Sequence, residues 1–329
     1  FDMGSLNGTN GFYINGADTS ARLGWNTAPL GDVNNDGIDD VLLGMPQWSN
    51  GQLSGNGAAI VIYGKNGGGF AANYDVDNIS AADGMVITGA NFGDMTGLGG
   101  AGVGDINGDG IADIGVGSPA ATVGVDVFTG ITYVIFGSSS FGATFDLNTI
   151  NGTNGFAVEG NIAGQGLGSN ISAAGDLNND GFDDLAIGGP GLFLMGQTQT
   201  GVAYVVYGTN AGFSASMSVG SLNGTNGFSI PGINGTDEIM GAVAPGGDLN
   251  GDGVDDLLIG SPHNIFGGSQ GVGGGYVIHG NAGGFPATFD LATINGINGT
   301  HFTSAAGDGA GFSISNVGDV NTDGLDDVM

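Results

Sequence analysis

Cysteine is absent from all 329 residues, so disulfides and thiolate metal sites are both excluded and any staple of the fold must be of another kind. Basic residues are almost absent: Arg22 and Lys65 stand against 32 acidic residues, for a formal charge of −30. Two cations make no patch that neutralises phosphates, which excludes nucleic acid and anionic membrane as electrostatic partners. No apolar run reaches the roughly 18 residues of a membrane span, so no membrane insertion is expected of this segment. Helical periodicity of any length is missing as well. His263, His279 and His301 occupy unrelated places and no Ser/His/Asp or Cys/His set is visible, so no catalytic residue and no organic cofactor site is assigned. The chain begins at Phe1 without an initiator methionine or charged leader and stops inside a repeat; targeting segments are expected to have been cut away.

Glycine and acid are what the sequence has in excess, and both are ordered. "GDVNNDGIDDVLLGMP" at Gly31 returns as "GDINGDGIADIGVGSP" at Gly104, "GDLNNDGFDDLAIGGP" at Gly175, "GDLNGDGVDDLLIGSP" at Gly247 and "GDVNTDGLDDVM" at Gly318. The first aspartates, Asp32, Asp105, Asp176, Asp248 and Asp319, are spaced 73, 71, 72 and 71 residues apart, so each step is read as one structural unit. Nineteen of the 32 acidic residues lie in these five loops, which makes the charge a property of the repeat. Such charge asks for cations.

Within the first unit, four β segments are expected around "NTAPLGDV", "DVLLGMP", "AAIVIYG" and "GMVITG", because β-branched and apolar runs are bounded by Gly, Asn, Asp and Pro. The third returns as "ITYVIFG", "VAYVVYG" and "GGYVIHG", and the fourth as "GFAVEG" and "GFSIPG", each preceded by an extended piece such as "FDLNTINGTNG". The second strands are apolar on both faces, as strands of sheets sandwiched between other sheets are. The fold class expected is all-β: a β-propeller of four-stranded antiparallel blades, about 72 residues per repeat. An open β-solenoid or a string of separate sandwiches is the rival arrangement.

The sequence resembles the FG-GAP repeat family, the blades of integrin alpha-chain propellers and of many bacterial surface proteins. The resemblance is carried by the DxNxDGxxD loops with a following Gly-x-Pro at Gly44-Met45-Pro46, Gly117-Ser118-Pro119, Gly188-Gly189-Pro190 and Gly260-Ser261-Pro262. The first half of the signature is degenerate, standing as Leu23-Gly24, Thr96-Gly97, Leu167-Gly168, Met240-Gly241 and Ala310-Gly311. This frame implies one propeller region over 1–329, with 1–16 the last strand of a preceding blade. Blades are expected at 17–90, 91–161, 162–233 and 234–304, and the start of a fifth at 305–329. Relatives with seven blades make an incomplete ring the expectation; a five-bladed ring closed by the N-terminal strand is the alternative.

A hard cation such as Ca²⁺ takes six to eight oxygens at about 2.3–2.6 Å, which short side chains supply only if the backbone curls around it. Positions 1, 3, 5 and 9 offer side-chain oxygen and position 7 a carbonyl, with glycine at position 6 for the turn. The five expected sites are Asp32, Asn34, Asp36, Ile38 and Asp40; Asp105, Asn107, Asp109, Ile111 and Asp113; Asp176, Asn178, Asp180, Phe182 and Asp184; Asp248, Asn250, Asp252, Val254 and Asp256; and Asp319, Asn321, Asp323, Leu325 and Asp327. Position 8 holds Asp39, Asp183, Asp255 and Asp326 but Ala112 in the second copy, so it is not counted as a ligand. An EF-hand would need an acid at position 12, where Leu43, Val116, Ile187 and Ile259 stand. The plain alternative is an Asx-rich turn without an ion, in which neighbouring carboxylates would repel one another and raise their own pKa values.

About five Ca²⁺ ions would bring the charge to about −20, and affinities of roughly 10⁻⁴ to 10⁻³ M would fill outside cells. The localisation expected is therefore extracellular or cell-surface, in a secreted bacterial protein. On the face opposite the calcium loops, Trp48, Phe128, Phe193 and Phe266 follow the Gly-x-Pro segments, and a protein or glycan ligand is expected there; the alternative is that these rings cap the blade ends. Sequons at Asn7, Asn78, Asn151, Asn170, Asn223, Asn234 and Asn298 lie mostly in Asn-Gly turns. The resemblance implies a calcium-binding, integrin-alpha-like adhesion or ligand-binding module that is not an enzyme; the alternative is an accessory or catalytic propeller of a polysaccharide-degrading enzyme.

Overall fold

A computed structural model of the chain describes residues 2–16, 20–49, 55–67, 69–191, 201–233, 242–262, 272–306 and 308–329. After β1 (Tyr13–Asn15), the first sheet takes β2 (Thr27–Gly31), β3 (Asp40–Met45), β4 (Ala58–Ile62) and, past the short β5 (Asn73–Asp75), β6 (Gly84–Thr88). The second takes β7 (Gly100–Gly102), β8 (Ile114–Ser118), β9 (Ile131–Ile135) and, past β10 (Thr144–Asp146), β11 (Gly155–Glu159). In the third come β12 (Asn170–Gly175), β13 (Asp184–Gly189), β14 (Val202–Val206) and, past β15 (Ser216–Ser218), β16 (Gly227–Pro231). The fourth consists of β17 (Ala242–Gly247), β18 (Asp256–Ser261), β19 (Val272–Ile278) and β20 (Gly299–Ala306). Each set of four is antiparallel in chain order, as the alternation of short apolar runs and glycine turns predicts.

The extended pieces do more than connect. β10 pairs parallel with β6, β15 with β11 and β5 with β1, so a three-residue strand from each of the first three blades adds to the last strand of the blade before it, and in the fourth an isolated parallel bridge from Thr288 to Ser229 takes that place. This addition to the four-stranded plan escapes sequence reading because three residues carry no periodicity. An aromatic pair seals three of the junctions: Phe12 stacks on Phe70 at 4.6 Å, Phe156 on Phe213 at 4.1 Å and Phe228 on Phe285 at 4.4 Å. Such pairs are worth about 0.5–1.5 kcal/mol beyond the area they bury.

The hydrophobic core lies between sheets. Leu42, Val61 and Ile87 of the first sheet meet Ile114, Val116 and Ile135 of the second in one buried cluster. Val134, Phe156 and Val158 meet Leu185, Ile187 and Val206 in the next, and Ala203, Val205 and Phe228 meet Leu257, Ile259 and Ile278 in a third. Every residue of β8, β13 and β18 is buried, as strands covered on both faces must be. In β3, by contrast, Val41 is exposed. The first strands β2, β7, β12 and β17 lie side by side, the arrangement of inner strands around a propeller axis. The sheets follow one another as blades, and no closed ring forms among the described residues.

The two halves of the repeat signature touch across blades. A Cβ on Gly117, the first residue of a Gly-x-Pro, would stand 1.9 Å from the carbonyl oxygen of Gly168 in the following blade, and one on Gly44 would stand 1.9 Å from that of Gly97. Only hydrogen fits there, which explains why glycine recurs at both places.

Candidate cation-binding turns

Each acidic loop joins the first two strands of a blade. The first strand ends in a register shift, at Pro29/Gly31, Ala173/Gly175 and Pro245/Gly247, with the glycine in the left-handed region. That bulge swings the chain out of the ladder. Position 4 is left-handed too, at Asn35 (φ 59°), Gly108 (75°), Asn179 (58°), Gly251 (77°) and Thr322 (64°), and so is the glycine at position 6. Asn and Gly tolerate this conformation, which curls five residues into a tight ring.

Side-chain oxygens fill the ring. Asp32 accepts the Asp36 N–H through Oδ1 at 3.0 Å and the Gly37 N–H through Oδ2 at 2.7 Å. Asn34 Oδ1 also accepts the Asp36 N–H, at 2.9 Å, and Asp36 Oδ1 accepts the Ile38 N–H at 3.0 Å. The loops at Asp105, Asp176 and Asp248 repeat all four bonds, and the loop at Asp319 repeats those of positions 1 and 5. Positions 1, 3 and 5 are thus brought together in the first four copies, and positions 1 and 5 in the fifth. In the second and fourth loops the position-1 Oδ1 accepts one more backbone N–H, from Gly108 at 2.8 Å and from Gly251 at 2.7 Å.

Position 9 behaves differently. Asp40, Asp113, Asp184 and Asp256 are buried at the mouth of the second strand. Asp113 Oδ2 accepts the Ile106 N–H at 3.0 Å inside its own loop, while Oδ1 accepts the Gly137 N–H at 2.8 Å from beyond the third strand. The same pair of bonds recurs at Asp40 (Val33, Gly64), Asp184 (Leu177, Gly208) and Asp256 (Leu249, Gly280). Asp327 bonds Val320 and Asn321, and the Asn321 side chain turns to Asp327 in this last copy.

Burial pushes the Asp113 and Asp184 carboxyls up to about 8 and those of Asp40 and Asp256 to about 6; the backbone bonds pull the other way, and His279 also lowers Asp256. Repulsion from Asp109 and Asp105 adds to the rise at Asp113, but less than burial does. The rise expected from crowding alone therefore has desolvation as its first cause.

Position 7 rests its side chain on the glycine that ends the third strand. A Cβ on Gly64 would lie 2.5 Å from Ile38, one on Gly137 2.4 Å from Ile111, one on Gly208 2.8 Å from Phe182 and one on Gly280 2.5 Å from Val254. These glycines also donate to position 9, and the recurring "YG", "FG" and "HG" after the third strand is the sequence signal that marks them.

The donor set is oxygen throughout, the chemistry of a hard cation. Among the described residues no three acidic or histidine side chains are gathered as a finished metal cluster. What fits an ion is the imbalance of charge: buried carboxylates ringed by others, with both basic residues committed elsewhere. Lys65 pairs with Asp83, which keeps that carboxyl low, and Arg22 lies 5.1 Å over the Trp25 ring.

Of the expected ligand-face aromatics, Trp48 packs back on the core cluster of the first sheet, Phe128 is half-buried, and Phe193 and Phe266 lie outside the described residues, as do His263 and the sequon at Asn234. Asn151 and Asn223 spend their side-chain oxygens on the N–H groups of Thr153 and Thr225, as turn residues. His301 stacks on Tyr276 at 4.4 Å. No helix among the described residues is long and apolar enough to cross a membrane.

The FG-GAP repeat family matches residues 168–206 and 241–278, the third and fourth blades. The chain is similar to phosphatidylinositol-glycan-specific phospholipase D of Bos taurus, 32% identical over 48% of this chain and 18% of that protein. It is 32% identical to the protein of the same name in Dictyostelium discoideum, over 54% and 19%. To integrin alpha-3 of Cricetulus griseus it is 34% identical, over 39% of this chain and 11% of that one. The chain thus spans less than a fifth of the length of these curated relatives. With its sheets in blade order and both halves of the signature in contact between blades, this chain carries FG-GAP repeats and has the fold of an integrin-alpha-like β-propeller.

Proposed function

We propose that the chain is a calcium-stabilised propeller region that presents a ligand-binding face outside the cell, as an adhesion or recognition module of an exported bacterial protein. The observation that carries this reading is the buried position-9 carboxylate, held at the edge of an all-oxygen turn in a chain of charge −30 with two cations. An ion would supply the positive charge that the protein does not. Asp105, Asn107, Asp109 and Asp113, with the carbonyl of Ile111, would hold it in the second blade, and their counterparts in the others. Loading would draw the side chains inward, and position 9 would pass the gain to the strand ladder through Gly137, Gly64, Gly208 and Gly280.

Affinities of roughly 10⁻⁴ to 10⁻³ M suit an extracellular setting. For the ligand face we favour the side opposite the acidic loops, for a protein or glycan partner. Phe92, Val125, Val127 and Ile162 are exposed there, on the second-to-third loop of the second blade and on loops between blades. The similarity to proteins named integrin alpha-3 supports a protein partner. An accessory role beside an enzyme is the second reading, favoured by the relatives named phospholipase D.

The deciding experiment is a thermal melt in calcium-depleted buffer and in millimolar Ca²⁺, with isothermal titration to count sites. A melting temperature that rises with Ca²⁺ by mass action is expected; identical melts and no binding heat would remove the calcium reading. Glycan-array and protein-capture binding without turnover of acidic polysaccharide or phospholipid would separate recognition from catalysis.

A further inference from the structure

The acidic residue at position 8 has no part in its own turn, yet it recurs. Its carboxylate reaches the preceding blade. Asp183 Oδ2 accepts the backbone N–H of Asp105 at 2.7 Å, and Asp255 Oδ2 accepts that of Asp176 at 2.9 Å, 78 and 79 residues away in sequence. At the next junction Asp326 Oδ2 accepts from Asn316 Nδ2 at 2.8 Å, and the same amide donates to the Gly246 carbonyl. A Cβ on Gly104, Gly175 or Gly247 would stand 2.2, 2.3 or 2.3 Å from these carboxylates, so the glycine ahead of position 1 leaves room for them. The first junction differs. There position 8 is Ala112, and its methyl faces Gly31 at 3.1 Å from the place a Cβ would take.

We propose that the position-8 carboxylate is a clasp between blades and a positioning residue for its neighbour's turn. The N–H that Asp183 holds belongs to Asp105, whose side chain anchors the second loop from within. Fixing that peptide fixes the direction in which the Asp105 carboxylate points. The second, third and fourth loops therefore form a linked series, extended through Asn316 to the fifth, while the first loop stands apart because alanine replaces the clasp. Where the loops take calcium, which rests on the reading above, the clasp links the occupancy of adjacent sites; the clasp itself does not depend on the ion.

The test is amide exchange resolved by NMR, in calcium-depleted buffer and in saturating Ca²⁺, on Asp183→Ala, Ala112→Asp and Asp39→Ala beside the natural chain. A hydrogen bond to a charged group corresponds to about 10- to 100-fold in local opening. Asp183→Ala should speed exchange of the Asp105 amide by that factor and leave the Asp176 amide unchanged. Ala112→Asp should slow exchange at Asp32, and this gain keeps the proposal testable if Asp183→Ala does not fold. Asp39→Ala, altering an exposed position 8, should change neither amide. Unchanged Asp105 exchange in Asp183→Ala, or equal acceleration in every blade, would overturn the clasp. Calcium titration of the same proteins separates the two readings. No binding by the natural chain defeats the calcium sites alone, whereas equal affinity in Asp183→Ala and the natural chain defeats the linkage between sites.

Discussion

Asp113 and Gly137 are 24 residues apart in sequence, and the carboxylate of one accepts the N–H of the other at 2.8 Å in a fully buried setting. The bond ties the end of an acidic turn to the end of the third strand, across the ladder that β8 and β9 form. Anything that tightens or loosens the turn is therefore felt by the sheet. Asp113→Ala would leave the Gly137 and Ile106 N–H groups buried without acceptors, at about 1–3 kcal/mol each. Asp39→Ala, on an exposed carboxylate, should stay within about 0.5 kcal/mol. Urea unfolding of both variants in millimolar Ca²⁺ checks the contrast, and equal losses would show that position 9 is no bridge.

A pH dependence follows from burial of the same residues. In the folded, metal-free chain Asp113 and Asp184 titrate at about 8 and Asp40 and Asp256 at about 6, above the roughly 3.9 of an unfolded aspartate. A raised carboxyl stabilises the fold fully below the unfolded value and loses that contribution as pH rises through the folded one. Stability in calcium-depleted buffer should accordingly fall between about pH 5 and pH 8.5, and self-repulsion of the chain's charge acts in the same direction. Calcium should restore more stability at pH 8.5 than at pH 5, because proton and ion relieve the same charge. Urea midpoints at both pH values, with and without Ca²⁺, read this directly; a metal-free midpoint that rises with pH would contradict the burial argument.

The contact between Gly117 and the Gly168 carbonyl sets a steric limit. Gly117→Ala places a methyl 1.9 Å from that oxygen, so the second and third blades must part locally. A loss above about 3 kcal/mol is expected, in the range of severe overpacking. Gly142→Ala is the control, since its Cβ would meet only the Thr144 backbone at 3.7 Å, and it should change stability by less than about 1 kcal/mol. Thermal melts of the two variants decide the matter.

What sequence could and could not show here divides along physical lines. The five acidic stretches were legible as turns because the left-handed positions and the side-chain acceptors of the turn's N–H groups fall within one short segment, so the pattern is local. The second strands were legible from apolarity on both faces, borne out in β8, β13 and β18. Relations between blades were hidden. The Asp183 carboxylate meets the Asp105 amide 78 residues away, and no periodicity announces which neighbour a side chain faces. The absence of an acid at Ala112 made position 8 look dispensable, when that residue marks one junction out of four. The parallel pairing of β10 with β6 was hidden for the same reason: the piece reads as extended, but nothing in three residues says which strand it joins.

The stacked pair Phe156 and Phe213 lets the strength of one junction be measured. Phe156 is fully buried on β11 and Phe213 lies in the connector ahead of β15, the strand that pairs with β11. Phe213→Ala removes the partner ring and opens a gap against Phe136 and Phe156, at about 2–4 kcal/mol for a half-buried aromatic beside a core. Because stacked repeats couple mainly to their neighbours, hydrogen-exchange protection should fall in β9, β11 and β15 while β3 and β4 keep theirs. Uniform loss across all four sheets would mean that the array unfolds as one unit, and the blades could then not respond one at a time to events at their own turns.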